Sequence, residues 1–415
     1  MKISLVVIGD EILLGQVTDT NSGEIARTVS VANWTVSRVF TVGDDAEEIK
    51  YAINAALEAS DVVITTGGLG PTKDDITKSV LLDIFGGKLI QNEDVLRNVE
   101  DVCRRRHIVL NDLTRTQALV PSTARIIQNK VGTAPIMWFE KKCGDKEKVL
   151  VTMPGVPFET SQMMREEVFP QLLSRFGSDV TVAHRYLLVY GVIESKIAEL
   201  LDEWEKALPI NLHLAYLPVP GYVKLRLDGI DKDGASINAL LDEKKAQIES
   251  ILGDAVFADE NKTIAEILID RLKAKGYTMA TAESCTGGNI AHSVTMVAGA
   301  SEVYYGSVVS YANDVKIRVL GVDENVINTL GAVSEPVAMQ MAKGVARVIN
   351  TDCSVATSGI AGPGGGTPEK PVGTVCIAVH TPQKDLVGTY FLPGNRGRVI
   401  DRATTTALIE LIRLL

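Results

Sequence analysis

The sequence has few cysteines, and their arrangement excludes two classes of protein. Its 415 residues include five cysteines, and no two of them form a CxxC pair. An odd number of dispersed cysteines is typical of a protein in a reducing cytosol. It argues against a disulfide framework and against a structural zinc site.

The sequence also lacks long apolar runs and an excess of positive charge. Its apolar start reaches Asp10 and Glu11 early, which predicts a buried first strand rather than a signal peptide. No stretch is apolar for long enough to span a membrane. The 42 basic and 52 acidic residues give a formal net charge of -10, which argues against broad capture of nucleic acid or anionic lipid. We therefore expect a cytoplasmic protein without direct nucleic-acid binding.

Apolar residues make up 46% of the chain, enough for large cores and two or three domains. In the first part, strand-like runs (residues 3–8 and 61–66) alternate with helical patterns (residues 22–34 and 46–59). This alternation predicts an α/β fold with a parallel sheet flanked by helices in three layers, and ligands bind such sheets beyond the carboxyl ends of the strands.

The pattern of apolar residues changes twice along the chain, which predicts three domains. The first spans residues 1–168. Residues 169–257 have the pattern of a small α+β unit that connects the other two. Residues 258–415 open with an amphipathic helix and return to α/β alternation. The sequence contains no internal repeat.

A glycine-rich turn follows the third predicted strand. Gly67, Gly68 and Gly70 allow close approach of a ligand, and the next helix presents free amides to a phosphate. Three carboxylates could hold a divalent cation that bridges to a diphosphate: Asp10, Asp74 and Asp75. The alternative is a tight strand–helix turn whose aspartates only cap the helix. The sequence leaves both interpretations open.

A second turn, from Glu283 to Gly288, places Ser284 between a strand and a glycine pair. A serine hydroxyl needs a base to become nucleophilic, and a neutral lysine such as Lys316 can serve. Amides of Thr286, Gly287 and Gly288 would face an oxyanion beside the hydroxyl. Tyr311 could relay the proton or hold the lysine. The structural alternatives are an N-capping serine, a solvated lysine and a packed tyrosine.

Three further features belong to this C-terminal part. Cys285 could compete as nucleophile, but no histidine partner is evident, and we interpret it as a packed thiol. A glycine-rich run can wrap a ligand with amides or form a mobile loop, and we favour the ligand. Its key positions are Gly359, Gly362 and Gly364. Arg396 could pair with a phosphate, or it could be an ordinary surface arginine.

With these motifs the chain resembles the competence/damage-inducible CinA family over essentially its whole length. The glycine turn of the first segment, with Thr72 and Asp75, is similar to the molybdopterin-binding fold of the MoaB/MogA group. The resemblance implies ADP-ribose pyrophosphatase activity at Asp75, with a divalent metal (Mg, Co or Mn) and K⁺. Leu69 stands where pterin binders usually have threonine, which argues against molybdopterin as the ligand. The middle segment is similar to the family's KH-like connector.

The last segment resembles nicotinamide-nucleotide amidohydrolase of the PncC type, which converts nicotinamide mononucleotide and water to nicotinate mononucleotide and ammonia. The resemblance implies Ser284 as nucleophile, Lys316 as general base and Tyr311 as its partner, without a cofactor. It also implies a homodimer. The implied substrate-binding positions are Glu283, Thr286, Gly287, Gly288, Asn313, Gly359, Gly362, Gly364 and Arg396. Asn395 replaces an aspartate of the family pattern, and Ile400 replaces an arginine.

Together these features predict a bifunctional enzyme of pyridine nucleotide recycling. Two other classes stay open. The first domain could be a non-catalytic nucleotide or pterin sensor that regulates the deamidase. The protein could also be an adaptor in DNA uptake or repair, a role suggested only by the family's name.

Overall fold

The computed structural model describes residues 1–72, 75–143, 146–177 and 181–415. The chain divides into two compact units, Met1–Val182 and Ala183–Leu415. The first unit therefore extends past residue 168, where the sequence analysis places the end of the first domain. Within the described ranges, no helix is both long and apolar enough to cross a bilayer.

The described part of the first unit contains eight strands, six of which form one mixed sheet. The strands are β1 (Lys2–Ile8), β2 (Thr35–Val42), β3 (Val62–Thr66), β4 (Leu89–Gln91), β5 (Leu119–Pro121), β6 (Arg125–Ile127), β7 (Ile136–Cys143) and β8 (Lys146–Met153). The sheet order is β2-β1-β3-β8-β7-β6, and β4 pairs with β5 separately. Strands β2, β1, β3 and β8 are parallel, as predicted, whereas β7 and β6 are antiparallel. Strands β7 and β8 follow each other closely in sequence, and short connections join antiparallel neighbours.

Helices cover both faces of this sheet. They are α1 (Asp10–Leu13), α2 (Asn21–Ser30), α3 (Ala46–Ala59), α4 (Thr77–Phe85), α5 (Glu93–Arg105), α6 (Asp112–Arg115), α7 (Pro157–Met163) and α8 (Phe169–Phe176). Alternate side chains of β1 enter two separate cores: Leu5 packs with Ile25 of α2, and Val6 packs with Ile49 of α3. Successive side chains of a strand point to opposite faces of its sheet, so β1 is buried on both faces. The sheet therefore lies between two layers of helices. Leu172 of α8 packs in the same core as Leu5, so α8 belongs to this unit.

The second unit begins with a small α+β part. Its elements are β9 (Thr181–Val189), α9 (Glu194–Lys206), β10 (Leu212–Val219), β11 (Tyr222–Asp231), α10 (Gly234–Leu252) and β12 (Val256–Ala258). The four strands form one sheet in the order β10-β11-β9-β12. Leu225 of β11 is buried against Leu201 of α9 and Leu241 of α10, so the helices and the sheet share one core.

The rest of the second unit is an α/β part with a five-stranded sheet. Its strands are β13 (Met279–Glu283), β14 (Tyr304–Val309), β15 (Cys353–Gly359), β16 (Thr374–His380) and β17 (Asp385–Phe391). Its helices are α11 (Ile264–Lys275), α12 (Asn289–Thr295), α13 (Asn313–Arg318), α14 (Glu324–Leu330), α15 (Glu335–Ile349) and α16 (Arg396–Leu414). The sheet order is β14-β13-β15-β16-β17. These elements confirm the predicted α/β class with a small α+β connector.

Strand register determines where chemistry can occur in this sheet. Strands β14, β13 and β15 are parallel, and Glu283 at the end of β13 pairs with Val309 and Thr357. The carboxyl ends of all three strands therefore meet at one edge. Loops beyond this edge are where parallel sheets bind ligands.

Candidate active site and ligand cavity

Ser284 lies directly beyond β13, at the edge where the three parallel strands end. Its N–H donates to the carbonyl oxygen of Thr357 at 3.0 Å. The N–H of Ser310, beyond β14, donates to the carbonyl oxygen of Glu283 at 2.8 Å. These two bonds hold the neighbouring strand ends beside Ser284, whose side chain is partly exposed and within reach of a ligand.

Lys316 brings an amine to this hydroxyl from α13. Its Nζ is 3.1 Å from Ser284 Oγ, 2.8 Å from the carbonyl oxygen of Ser310 and 3.5 Å from that of Tyr311. The Lys316 side chain is only 1% exposed, although it belongs to the class of residue that is almost never buried without a partner. The structure thus brings together the two groups that the sequence predicts as base and nucleophile.

Burial lowers the pKa of Lys316 below its usual value, because removal of water disfavours the charged form. Across the described ranges, no carboxylate forms an ion pair with this lysine. A neutral amine has two N–H groups and one lone pair. Donation to the carbonyls of Ser310 and Tyr311 uses the two N–H groups, which leaves the lone pair for the proton of Ser284.

Glu283 holds the turn that carries Ser284. One carboxylate oxygen accepts from the Thr286 hydroxyl at 2.7 Å and from the N–H groups of Gly288 and Ile290 at 2.9 and 3.1 Å. The other accepts from the N–H of Ala291 at 2.8 Å. The side chain is fully buried, so its oxygens are not available to a ligand. The geometry therefore assigns the Glu283 carboxylate and the buried Thr286 hydroxyl to positioning the turn instead of the substrate-binding role expected from the sequence.

The donors available to an oxyanion differ in part from the amides of Thr286, Gly287 and Gly288 that the sequence predicts. Gly287 donates its N–H to Ser284 O at 3.2 Å, and the N–H of Gly288 is bound by Glu283. By contrast, the N–H groups of Cys285 and Thr286 donate to no oxygen of the described chain. These two amides immediately follow the nucleophile, the position from which other hydrolases stabilise an oxyanion.

Cys285 is only 6% exposed and packs in the core beneath the turn. Burial raises the pKa of its thiol to about 12. The thiolate is the reactive species of cysteine, and it is scarce at neutral pH when the pKa is this high. These properties agree with the interpretation of Cys285 as a packed thiol.

Tyr311 and Arg396 form the exposed rim of the site. Arg396 donates to the Tyr311 hydroxyl at 2.9 Å and to the carbonyl oxygen of Gly362 at 2.7 Å. The Tyr311 side chain is 64% exposed. Within the described part of the chain, its hydroxyl forms no hydrogen bond with Ser284 or Lys316. The contacts place Tyr311 at the rim with Arg396 instead of in the predicted proton relay. Asn313 is also exposed near this rim.

The three glycines of the run that follows β15 differ from one another in their surroundings. At Gly359, a Cβ would lie 2.8 Å from the carbonyl oxygen of Thr374, so this glycine permits close strand packing. At Gly362, φ is +84°, which favours glycine, and its carbonyl receives Arg396. Gly364 lies in open space, where a Cβ would meet no atom within 4 Å. Asn395 caps α16 by accepting from the N–H of Arg398 at 3.0 Å, the role that an aspartate also fills.

The first unit contains a cavity of about 610 Å³ at the corresponding edge of its own sheet. Gly67 and Gly68 line it with φ of +98° and +62°. A Cβ at Gly67 would lie 2.1 Å from the carbonyl oxygen of Ile8, and one at Gly68 would lie 2.1 Å from Thr77 Oγ1. Glycine is required here because the ends of β1 and β3 and the start of α4 approach closely.

Asp75 lines the same cavity and closes the glycine loop. Its carboxylate accepts from the N–H of Gly70 at 2.6 Å, from the N–H of Thr72 at 2.9 Å and from the Thr72 hydroxyl. This arrangement agrees with the structural alternative, in which the aspartate stabilises the turn. Asp75 also borders the cavity, so stabilising the turn is compatible with contact to a ligand there.

The predicted metal ligands do not form a metal site within the described residues. The backbone N–H of Asp10 donates to the Asp44 carboxylate at 3.1 Å, and the backbone N–H of Asp44 donates to the Asp10 carboxylate at 3.2 Å. Asp10 lies outside the cavity lining. Asp74 falls outside the described residues. The remaining described chain contains no group of three or more His, Cys, Asp or Glu placed to hold a metal ion. The metal site stays a prediction, and we assign no reaction step to a metal.

Three residues near this cavity were not identified from the sequence. Gln117 lines it from a turn after α6, and Arg106 lines it from the end of α5. Lys78 of α4 donates to the carbonyl oxygen of Gln117 at 3.1 Å, and burial lowers its pKa to about 8 while Asp75 opposes the shift. No motif marks these positions. Lys78 follows the glycine loop closely, at the start of α4, whereas Gln117 and Arg106 come from elements distant from that loop in sequence.

Comparisons with known proteins agree with this architecture. Three family models match in succession: "Probable molybdopterin binding domain" over residues 4–174, "Damage-inducible protein CinA KH domain" over 184–258 and "CinA C-terminal domain" over 261–415. A CinA-like protein from Flavobacterium psychrophilum is 41% identical over 98% of this chain and 97% of its own.

The chain belongs to the CinA family.

A second CinA-like protein, from Cytophaga hutchinsonii, is 41% identical over 99% of this CinA chain and 96% of its own. A solved structure of the competence/damage inducible protein CihA from Agrobacterium tumefaciens is 40% identical. It covers 36% of this chain and 94% of its own, with a TM-score of 0.36. The three family models also identify the three segments that the sequence analysis compared with the MoaB/MogA group, the KH-like connector and the C-terminal domain.

Replacement of Glu283 by glutamine is expected to weaken the turn of this CinA protein. One oxygen would become an NH₂ group facing backbone N–H groups, at a cost of roughly 1.5–3 kcal/mol. Denaturant unfolding of the full chain measures the effect. Glu302→Gln is the control: it breaks an exposed ion pair with Lys273 at 2.8 Å and should change stability by less than about 1 kcal/mol. Equal stability of both variants would contradict the positioning role.

Proposed function

We propose that the second unit of this CinA-family protein hydrolyses the carboxamide of nicotinamide mononucleotide to a carboxylate and ammonia. The observation that supports this most directly is the 3.1 Å contact between Lys316 Nζ and Ser284 Oγ, made by a buried amine. A serine paired with a depressed-pKa lysine is a known nucleophile–base pair for acyl transfer. The choice of a nicotinamide nucleotide rests on the resemblance of the three sequence motifs.

In the proposed reaction, Ser284 Oγ attacks the carboxamide carbon while neutral Lys316 takes the hydroxyl proton. The carbonyl oxygen becomes an oxyanion, for which the N–H groups of Cys285 and Thr286 are the available donors. Collapse of this intermediate breaks the C–N bond. The Lys316 ammonium returns its proton to the departing nitrogen, which leaves as ammonia.

The second half of the reaction releases the product. Water attacks the ester on Ser284, and Lys316 again accepts a proton. The C–O bond to Ser284 breaks, the proton returns to Ser284 Oγ, and the acid product forms. Lys316 ends neutral and ready for another cycle, and the serine is regenerated.

The exposed rim is suited to the nucleotide part of the substrate. Arg396 is exposed and carries further N–H groups beyond those bound to Tyr311 and Gly362, so it can pair with a phosphate. The exposed ring of Tyr311 offers a flat apolar face beside it. In this arrangement, Tyr311 and Arg396 bind substrate, while Ser284 and Lys316 perform the chemistry.

Ser284→Ala is expected to abolish ammonia release from nicotinamide mononucleotide, because it removes the attacking oxygen. Cys285→Ala should keep most of the activity, since the thiol is buried and protonated. A coupled ammonia assay on the purified full chain compares both variants with the parent. Near-parental activity of Ser284→Ala, or complete loss in Cys285→Ala with the fold intact, would refute the assigned nucleophile.

Deamidation is expected to depend on pH through Lys316. The base acts only when neutral, so kcat/KM should fall as pH drops below the lowered pKa of Lys316 and level off above it. Lys316→Arg should be inactive at every pH, because a guanidinium does not lose its proton in proteins. Lys343→Arg, at an exposed lysine paired with Asp385, is the matched control and should preserve the profile. A profile that is unchanged in Lys316→Arg would exclude Lys316 as the base.

For the first unit we propose hydrolysis of ADP-ribose to AMP and ribose 5-phosphate. The 610 Å³ cavity is within the size range of small-molecule sites, and it is lined by the glycine turn, Asp75 and Arg106. Backbone amides of a glycine turn and a neighbouring arginine are suited to a diphosphate. The alternative is a nucleotide or pterin sensor, in which the same cavity binds its ligand without chemistry.

Asp75→Ala is expected to remove ADP-ribose hydrolysis while ammonia release in the second unit stays at the parental level. The loop would lose the carboxylate that holds Gly70 and Thr72 beside the cavity. Chromatographic detection of AMP, with Mg²⁺, Co²⁺ or Mn²⁺ supplied in turn, provides the measurement. Asp83→Ala is the control, because Asp83 is exposed on α4 with Lys50 at 3.5 Å. Equal AMP production by Asp75→Ala would contradict the assignment, and binding without any AMP in the parent would favour the sensor.

A further inference from the structure

Glu159 brings a buried carboxylate to the lining of the cavity in the first unit. It lies in the first turn of α7 and is 6% exposed. The loop that leads into α7 packs against the glycine turn, since a Cβ at Gly155 would lie 3.3 Å from the Cα of Gly67. Helix α7 therefore begins beside the turn whose amides are suited to a diphosphate.

One oxygen of the Glu159 carboxylate is anchored. Its Oε2 accepts from Asn129 Nδ2 at 2.9 Å, and the same amide donates to the carbonyl oxygen of Ala134 at 3.0 Å. Asn129 is fully buried. A Cβ at Gly132 would lie 1.8 Å from Oε2, so any larger residue there would displace the carboxylate. These contacts fix the position of the Glu159 side chain.

The other oxygen, Oε1, keeps its capacity to accept a proton. Within residues 1–72, 75–143 and 146–177 it accepts no hydrogen bond, and Arg106 NH2 lies 3.6 Å away, beyond hydrogen-bond distance. The polar atoms of this unit that are both unpartnered and sealed from solvent do not include Oε1, so water can reach it. The Arg106 side chain is 48% exposed and lines the same cavity.

Glu159 differs from the other carboxylates that line the cavity in the described chain. Glu11 is exposed, and Asp19, Asp44 and Asp75 are partly exposed. Both oxygens of Asp75 accept hydrogen bonds from its own loop. Glu159 is buried, with one oxygen fixed and one available. A general base needs this combination, because its accepting atom must stay within reach of the proton that it removes.

We propose that Glu159 is the general base that activates water for phosphoanhydride hydrolysis in this cavity. The inference rests on the proposed function of the first unit and names a catalytic residue for it. Asp75 then holds the glycine loop, and Glu159 performs the proton transfer. The two carboxylates thus have separate roles, which follow from the bonds that each one makes.

In this step a water oxygen attacks one phosphorus of the diphosphate while Glu159 Oε1 takes a proton from that water. A new P–O bond forms, and the P–O bond to the bridging oxygen breaks. The proton then passes from Glu159 to the departing phosphate, so the carboxylate is regenerated. Arg106, beside Oε1, pairs with phosphate oxygens and offsets the repulsion between the substrate and the carboxylate.

Glu159→Gln tests the proposal in the full chain. The glutamine carbonyl still accepts from Asn129, but the amide cannot take a proton from water. We expect kcat for AMP release from ADP-ribose to fall about a hundredfold or more. Calorimetric titration should show that ADP-ribose binds at least as tightly as to the parent. The matched control is Glu166→Gln, at an exposed glutamate bound to Gln162 at 3.1 Å, and it should keep the parental rate.

The pH profile separates a base from a structural carboxylate. A base must be ionised, so the kcat of the parent should fall as the pH becomes acidic. The residual rate of Glu159→Gln should lose this fall. Glu159→Asp keeps a carboxylate but withdraws it by one methylene group, so it should keep the fall at a reduced rate. A residue that only supports the fold would leave the shape of the profile unchanged in both variants.

Three outcomes would overturn the inference. A parental rate and profile in Glu159→Gln would exclude Glu159 as the base. A raised KM with unchanged kcat would show that Glu159 only orients Arg106. If the parent binds ADP-ribose but releases no AMP with Mg²⁺, Co²⁺ or Mn²⁺, the proposed hydrolysis itself fails, and the base assignment falls with it.

Discussion

The burial of one amine, Lys316 Nζ, is the constraint on which the chemistry of the second unit depends. A charged ammonium at 1% exposure without a carboxylate partner is unfavourable, so burial itself drives the group toward its neutral form. The neutral form is also the one that can take a proton from Ser284. The surrounding architecture preserves this arrangement: the parallel strands bring their ends together, and the Glu283 carboxylate fixes the turn that carries the serine.

Both units bring strand ends together at their candidate sites, but different residues hold the turns there. Both place their candidate sites where parallel strands end. In the first unit the glycine turn lets strand ends approach so closely that a methyl group at Gly67 would overlap the carbonyl of Ile8. In the second unit the fully buried Glu283 carboxylate accepts hydrogen bonds from the backbone N–H groups of the turn instead. The first unit has a cavity of about 610 Å³ beside its glycine turn, whereas the second places the partly exposed Ser284 within 3.1 Å of the Lys316 amine.

Periodicity and turn chemistry predict much of this fold. The helix expected over residues 46–59 is α3 with the same bounds, because Ile49 and Ile53 fall on one buried face. The meeting of Ser284 and Lys316 is predicted by motifs that resemble a family. The sequence does not predict the antiparallel direction of β7. It also does not predict the structural role of Glu283, since a buried carboxylate and a ligand-facing one look identical in sequence. Gln117 carries no local signal, because its position beside the glycine turn depends on tertiary packing across dozens of residues.

The burial of Cys285, directly after Ser284, affects how oxidants act on this site. Oxidants such as hydrogen peroxide attack cysteine as the thiolate, and the buried Cys285 stays a protonated thiol near neutrality. Neither a hydroxyl nor an amine has a comparable oxidation chemistry. A deamidase that works through Ser284 and Lys316 would therefore keep turning over under peroxide stress that silences thiol-dependent amidases, with the adjacent sulfur shielded beneath the turn.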